Sequence, residues 1–267
     1  MLFSALLLGS AAGALAAPRS VAVTSLAAVA AADKPAAFFL AGDSTTAVQA
    51  ANGGGWGNGF LETTLQNGAT GKNYGHNGAT TVSFREGGDW DTVLQEVKDA
   101  VAEYTPYVTI QFGHNDQKSD KGISIDEYTA NLEQFVQDVR DAGGKPILVT
   151  PLSRRQYSSS NSSITENLAA QRAATLAAAA STSALSIDLN RASTDYLNAI
   201  GADNAYTYNL DSDDRTHLNA AGSVVFGNMV SWLMDQIEGE EGEALKQWTV
   251  PGEAYVSAFE EGVYIAE

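Results

Sequence analysis

The chain contains no cysteine, so chemistry that depends on a thiol is excluded: disulfide scaffolds, Cys-ligated zinc and thiol nucleophiles. Histidine is scarce, and imidazole chemistry has only His76, His114 and His217 to draw on. Cations are few. Lys and Arg total 15 against 32 Asp and Glu, for a net charge of −17. That balance is a poor match to a nucleic-acid backbone, which needs clustered positive charge. Beyond the N-terminus, no segment approaches the roughly 20 consecutive apolar residues that cross a bilayer.

What is present suits a folded core. Hydrophobic residues make up 44% of the 267 and charged residues 18%, which rules out a mostly disordered chain. Residues 1–16, MLFSALLLGSAAGALA, are uncharged and apolar and end on the A-x-A pattern Ala14-Leu15-Ala16. They read as a secretory signal peptide cut after Ala16, too short and too weakly hydrophobic for a good membrane anchor. Residues 17–34 read as a leader or pro-segment, 35–240 as one domain, and 241–267 as a tail without a clear period. A secreted, extracellular protein is expected. Asn161-Ser162-Ser163 is a glycosylation sequon in a Ser-rich stretch that fits this expectation.

Short apolar runs at 36–41 (AAFFLA), 107–112 (YVTIQF), 147–149 and 184–189 are bounded by Gly or Pro, or alternate with helical segments, and read as strands. Helical periodicity runs over 91–104, 126–141, 164–180 and 219–238. Strand–helix alternation of this kind indicates a parallel sheet covered on both faces.

Ligands of such sheets bind beyond the carboxyl ends of the strands. Gly42-Asp43-Ser44 follows the first run, Gly113-His114-Asn115-Asp116 follows the second, and Asp214-Arg215-Thr216-His217 precedes the last helix. Together they offer a hydroxyl nucleophile, an amide donor, an imidazole base and a carboxylate to orient it. Taken singly, each is an ordinary turn or helix-entry pattern; the argument rests on all three in this order. His76 has no partner that the sequence reveals. The acidic run Asp211, Asp213, Asp214 hints at a cation site, but Asp214 already has a use.

With these motifs the chain resembles the SGNH, or GDSL-type, esterases, and most closely their rhamnogalacturonan acetylesterase branch. The similarity includes Thr45-Thr46 and Gly55-Trp56-Gly57 after the serine, the loop 73–80 (NYGHNGAT), Arg85-Glu86-Gly87, and residues 147–155 (ILVTPLSRR). It spans roughly residues 36–236. It implies a three-layer α/β/α flavodoxin-like SGNH hydrolase fold with a central five-stranded parallel sheet. It makes Ser44 the nucleophile, His217 the base and Asp214 its orienting group. The implied oxyanion hole is the Ser44 N–H, the Gly78 N–H and the Asn115 side chain. The loop reads Gly78-Ala79-Thr80-Thr81 where the family has a more Gly-Arg-Ser character, which leaves Gly75 as the alternative glycine. No metal or organic cofactor is implied.

The expectation is a monomeric serine esterase acting on an acetylated polysaccharide, with no nucleic-acid or membrane partner. Rhamnogalacturonan is the expected substrate. Acetylxylan or short-chain esters are the alternatives on the same fold, and a silent carbohydrate-binding protein is the alternative of another class. Arg154 and Arg155 are expected to offset the acidic surface by meeting uronate carboxylates, or else to form surface ion pairs.

Overall fold

The computed structural model describes residues 1–2, 34–50, 53–159 and 163–266. The expected signal-peptide cleavage site, most of the leader and Asn161 lie outside them. From Lys34 onward the chain is a single unit. Its centre is a five-stranded parallel sheet of β1 (Ala36–Gly42), β2 (Thr70–Asn73), β3 (Thr105–Gln111), β4 (Lys145–Val149) and β5 (Leu185–Ile187), in the order β2-β1-β3-β4-β5. This is the doubly wound flavodoxin-like order, which places the sheet's switch point between β1 and β3.

The period-two alternation of a strand sends β1 side chains to two cores. Phe38 and Leu40 join one cluster with Phe60, Tyr196, Val225 and Met229, while Ala37, Phe39 and Ala41 join the other with Val93, Val97, Leu132 and Phe135. The first cluster draws on helices α1 (Gly57–Thr63), α6 (Leu189–Tyr206) and α7 (Ala220–Asp235); the second on α2 (Thr81–Glu86), α3 (Asp89–Ala100), α4 (Ile125–Asp141) and α5 (Ala169–Thr182). Covered on both faces, β1 is buried along its whole length, which is why it reads as an unbroken apolar run.

The tail is part of this body. Helices α8 (Glu240–Leu245) and α9 (Glu253–Glu261) bring Leu245, Ala258 and Phe259 into the first cluster, and the connection between them adds Trp248. Thr249 bridges to Leu65, and its hydroxyl bonds to Thr64 Oγ1 at 3.0 Å.

Two contacts bring the distant ends of the sequence together above the sheet. A small antiparallel sheet pairs Val48–Ala50 with Gly53–Gly54, and pairs Gly53 with Asn219 and Gly54 with Leu218. Beside it, α1 lies directly against α7. A Cβ on Gly59 would overlap the backbone of Ser223, and one on Gly227 would overlap the backbone of Phe60. The Gly59 N–H donates to Ser223 Oγ at 3.1 Å. Only residues without a side chain permit this approach.

Gly227→Ala is therefore expected to destabilise the protein by about 1–3 kcal/mol through overpacking against backbone that cannot move aside. Denaturant unfolding of the variant beside the wild type measures it, and an unchanged midpoint would refute the close-packing account.

Candidate active site

Ser44 follows β1 at the carboxyl edge of the sheet. The turn is held from beneath by a buried polar network. Asp43 is fully buried, and its Oδ1 accepts from the Thr45 N–H at 2.8 Å and from Thr45 Oγ1 at 2.7 Å. Gln111, the last residue of β3, donates from Nε2 to Thr45 Oγ1 at 2.5 Å, and its Oε1 accepts from Trp56 Nε1 at 2.9 Å. One amide thus ties the serine turn, the start of α1 and the central strand together.

The second element is the turn after β3. Gly113 has φ of 129°, a conformation that other residues rarely adopt. Asp116 closes the turn, its Oδ2 accepting from the Gly113 N–H at 3.1 Å. Asp116 Oδ1 accepts from the Thr81 N–H at 2.8 Å and Thr81 Oγ1 at 2.7 Å, fastening the N-terminus of α2 to the same turn. Asn115, 5% exposed, donates from Nδ2 to Ala79 O at 2.9 Å, and its Oδ1 accepts from Lys118 Nζ at 2.7 Å. These partners fix the amide's orientation, because an ammonium only donates and a carbonyl only accepts.

The third element is the turn before α7. Asp214 Oδ1 accepts from the backbone N–H groups of Thr216 and His217, each at 2.8 Å, so the carboxylate folds its own loop. Its Oδ2 lies 2.8 Å from His217 Nδ1. His217 Nε2 lies 2.8 Å from Ser44 Oγ. Partial burial works to raise the Asp214 pKa, but the bonds from His217 and Thr216 outweigh it and hold the carboxyl below 3.8. An ionised carboxylate can only accept, so Nδ1 carries the ring hydrogen and Nε2 is left to accept from the serine hydroxyl. Ser44, His217 and Asp214 are therefore brought into one continuous hydrogen-bonded series.

The glycine-bearing loop lies beside Asn115 through Ala79. Gly78 has φ of 79°. The Gly75 N–H is already taken by Asn73 Oδ1 at 2.9 Å, which weighs against Gly75 as an oxyanion donor.

The other two histidines are not part of this series, although His114 lies beneath the serine turn. His114 is 2% exposed, 3.6 Å from Asp43 Oδ2 and 3.5 Å from Thr45 Oγ1, and burial pushes its pKa below 6.5. His76 does have a partner, Asp89, at 2.8 Å on the surface.

The two arginines after β4 part company. Arg155 is fully buried, so the expectation that it meets substrate is corrected. Its Nη2 donates to His217 O at 2.6 Å and its Nε to Asn209 Oδ1 at 2.5 Å, and burial pulls its pKa down to about 10. Arg154 is partly buried between the second and third elements, with Nε 3.1 Å from Thr216 Oγ1 and Nη2 3.4 Å from His114 O. Among the described residues it pairs with no carboxylate, and no group of three His, Asp or Glu side chains is arranged to hold a metal ion.

This geometry agrees with the comparison to known proteins. The model of the GDSL-like Lipase/Acylhydrolase family matches residues 40–225, which include all three elements. The chain belongs to this family. Rhamnogalacturonan acetylesterase RhgT of Bacillus subtilis (strain 168) is 33% identical over 127 residues, 46% of this chain and 52% of that protein. A probable rhamnogalacturonan acetylesterase of the same organism, YesY, is 29% identical over 203 residues, 73% of this chain and 90% of that protein. The crystal structure of B. subtilis protein YXIM superposes with a TM-score of 0.67 at 23% identity, covering 76% of this chain and 57% of that one. The chain thus spans little more than half the length of RhgT and of the YXIM chain.

Within this GDSL-family site, sequence reasoning gave no role to Gln111 or Lys118, and it placed Arg155 at the surface when it is buried. A lone amide in the apolar run YVTIQF is the one available signal for Gln111. Nothing in the pattern separates Arg155 from Arg154, and nothing marks Lys118.

Asp214→Asn is expected to lower kcat by about 10³-fold or more, since the amide supports the wrong tautomer of His217. A depressed carboxylate stabilises the fold above its unfolded pKa, and that contribution is lost as pH falls through the folded value. The stability advantage of the wild type over Asp214→Asn should therefore stay level from neutrality down to about pH 4 and narrow only below it. A gap that closed near pH 6 in unfolding curves would contradict the assignment.

Proposed function

We propose that this chain is a secreted serine esterase that removes acetyl groups from a plant cell-wall polysaccharide, with rhamnogalacturonan as the preferred substrate. The observation that carries the reading is the unbroken series Ser44 Oγ–His217 Nε2, His217 Nδ1–Asp214 Oδ2 at 2.8 Å each. A serine hydroxyl becomes a useful nucleophile only when a positioned base accepts its proton. In this reading Ser44 Oγ attacks the acetyl carbonyl carbon as His217 Nε2 takes the hydroxyl proton. The oxyanion is met by the Ser44 N–H, the Gly78 N–H and the Asn115 amide. Collapse expels the sugar oxygen, which takes the proton from His217 and leaves as the alcohol. Water then attacks the acetyl-serine by the same route, releasing acetate and restoring Ser44.

Family membership and the acetylesterase relatives support ester hydrolysis. The names of those relatives favour a pectic substrate, and Arg154 adds a physical argument. A guanidinium with no carboxylate partner among the described residues, beside Thr216 of the His217 turn, is suited to an anionic uronate. It would supply locally the attraction that a net charge of −17 denies at long range.

Acetate release from acetylated rhamnogalacturonan, acetylated xylan and a chromogenic acetyl ester tests the reading, with Ser44→Ala as the control. The expected result is preference for rhamnogalacturonan, abolished in Ser44→Ala at unchanged melting temperature. Equal cleavage of xylan would keep the mechanism and discard the substrate. Labelling by an organophosphate at Ser44 separates an esterase from a silent binding protein. Arg154→Ala should raise KM on the pectic substrate about ten-fold while sparing the neutral chromogenic ester, the loss expected for one charged hydrogen-bonding partner. An unchanged KM would remove Arg154 from the substrate site.

A further inference from the structure

We propose that Lys118 is a positioning residue that strengthens Asn115 as an oxyanion donor, an inference that rests on the esterase reading above. Lys118 lies three residues after Asn115 in the turn that follows β3, and its N–H donates to Asn115 O at 3.0 Å. Its side chain is exposed to solvent, yet its ammonium bends back to Asn115 Oδ1 at 2.7 Å. The choice of partner is informative. Several other lysines of this acidic protein find carboxylates, Lys72 with Glu96, Lys121 with Asp120, Lys145 with Glu241 and Lys246 with Glu243, while Lys34 donates to the Val101 carbonyl. Among the described residues Lys118 has no carboxylate partner, and it spends its charge on a neutral, buried amide.

The consequence follows from the electronic structure of an amide. Its nitrogen lone pair is delocalised onto its oxygen, so a cation on the oxygen draws density away from nitrogen and makes each N–H a better donor. Ala79 O takes one of the two Asn115 N–H bonds. The second is the one an acetyl oxygen would meet. Ammonium, amide and oxyanion then form a line of alternating charge, which gains most when the substrate oxygen carries a full negative charge. The ground-state carbonyl oxygen gains less, so the benefit falls on the transition state. The same ammonium holds the amide in its productive orientation, because flipping it would set an NH2 against a cation.

The test is a double-mutant cycle on a small neutral acetyl ester, where attraction for an anionic substrate plays no part. Asn115→Ala should lower kcat by about 10²-fold, the cost of one lost donor. Lys118→Met should lower kcat by roughly five- to ten-fold with KM unchanged, a fraction of that loss. Lys118→Arg should retain most of the wild-type kcat. In the Asn115→Ala background, Lys118→Met should have no further effect. Three results would overturn the proposal: wild-type kcat in Lys118→Met, an equal loss in both backgrounds, or a Lys118→Arg variant as slow as Lys118→Met. Wild-type kcat in Asn115→Ala is a different failure, since it removes Asn115 from the reaction while Lys118 is intact.

Discussion

Glycine at positions 59 and 227 lets the backbones of α1 and α7 touch, and that contact sets how the Ser44 turn meets the His217 turn. Helix α1 begins 13 residues after Ser44, at Gly57, and α7 begins three residues after His217, at Ala220. Each helix is therefore a short lever on one half of the relay. The three-stranded sheet joining Val48–Ala50, Gly53–Gly54 and Leu218–Asn219 adds backbone hydrogen bonds to the same junction. A serine and an imidazole must meet within a few tenths of an ångström for proton transfer. Here the 2.8 Å approach of Ser44 Oγ to His217 Nε2 stands beside close main-chain packing of α1 on α7.

Beneath the relay the polar residues follow a common logic. Asp43, Gln111 and Asp116 are buried: Asp43 folds its own turn through Thr45, while Gln111 and Asp116 bind one loop to another. A buried polar group is costly unless satisfied, so a network of this kind tolerates few alternative loop arrangements. Arg155 extends the principle to charge. Its guanidinium, enclosed beneath the third turn, bonds to His217 O and makes departure of that turn costly, since a buried cation would keep only Asn209 as a side-chain partner.

Much of this was legible beforehand because the central strands are apolar runs closed by Gly or Pro, because Ser44 and Asn115 stand just beyond two of them, and because Asp214 and His217 stand just before the last long helix. The edge strand Thr70–Asn73 carries no hydrophobic side chain and alternates between exposed and half-buried, so it leaves no apolar signature. Helix α6 is rich in Asn, Ser and Thr and is interrupted at Gly201, with φ of 77° and ψ of 165°, which blurs its periodicity. The tail lacked a period because its two helices are short and dock through scattered residues such as Trp248 and Phe259. At the site, the sequence exposes groups that react but not those that hold them. Which of two adjacent arginines turns inward, and that a surface lysine curls back on an amide, depend on loops whose paths are set only by the folded whole.

The Ser44–His217 hydrogen bond joins residues 173 positions apart. Contacts of such separation are late events, because the entropy of closing a long loop must be met by structure already formed. During synthesis, β1 and the Ser44 turn emerge well before His217 and α7. On the esterase reading proposed above, Ser44 therefore gains its base only once the chain has been made as far as His217 and α7 lies against α1.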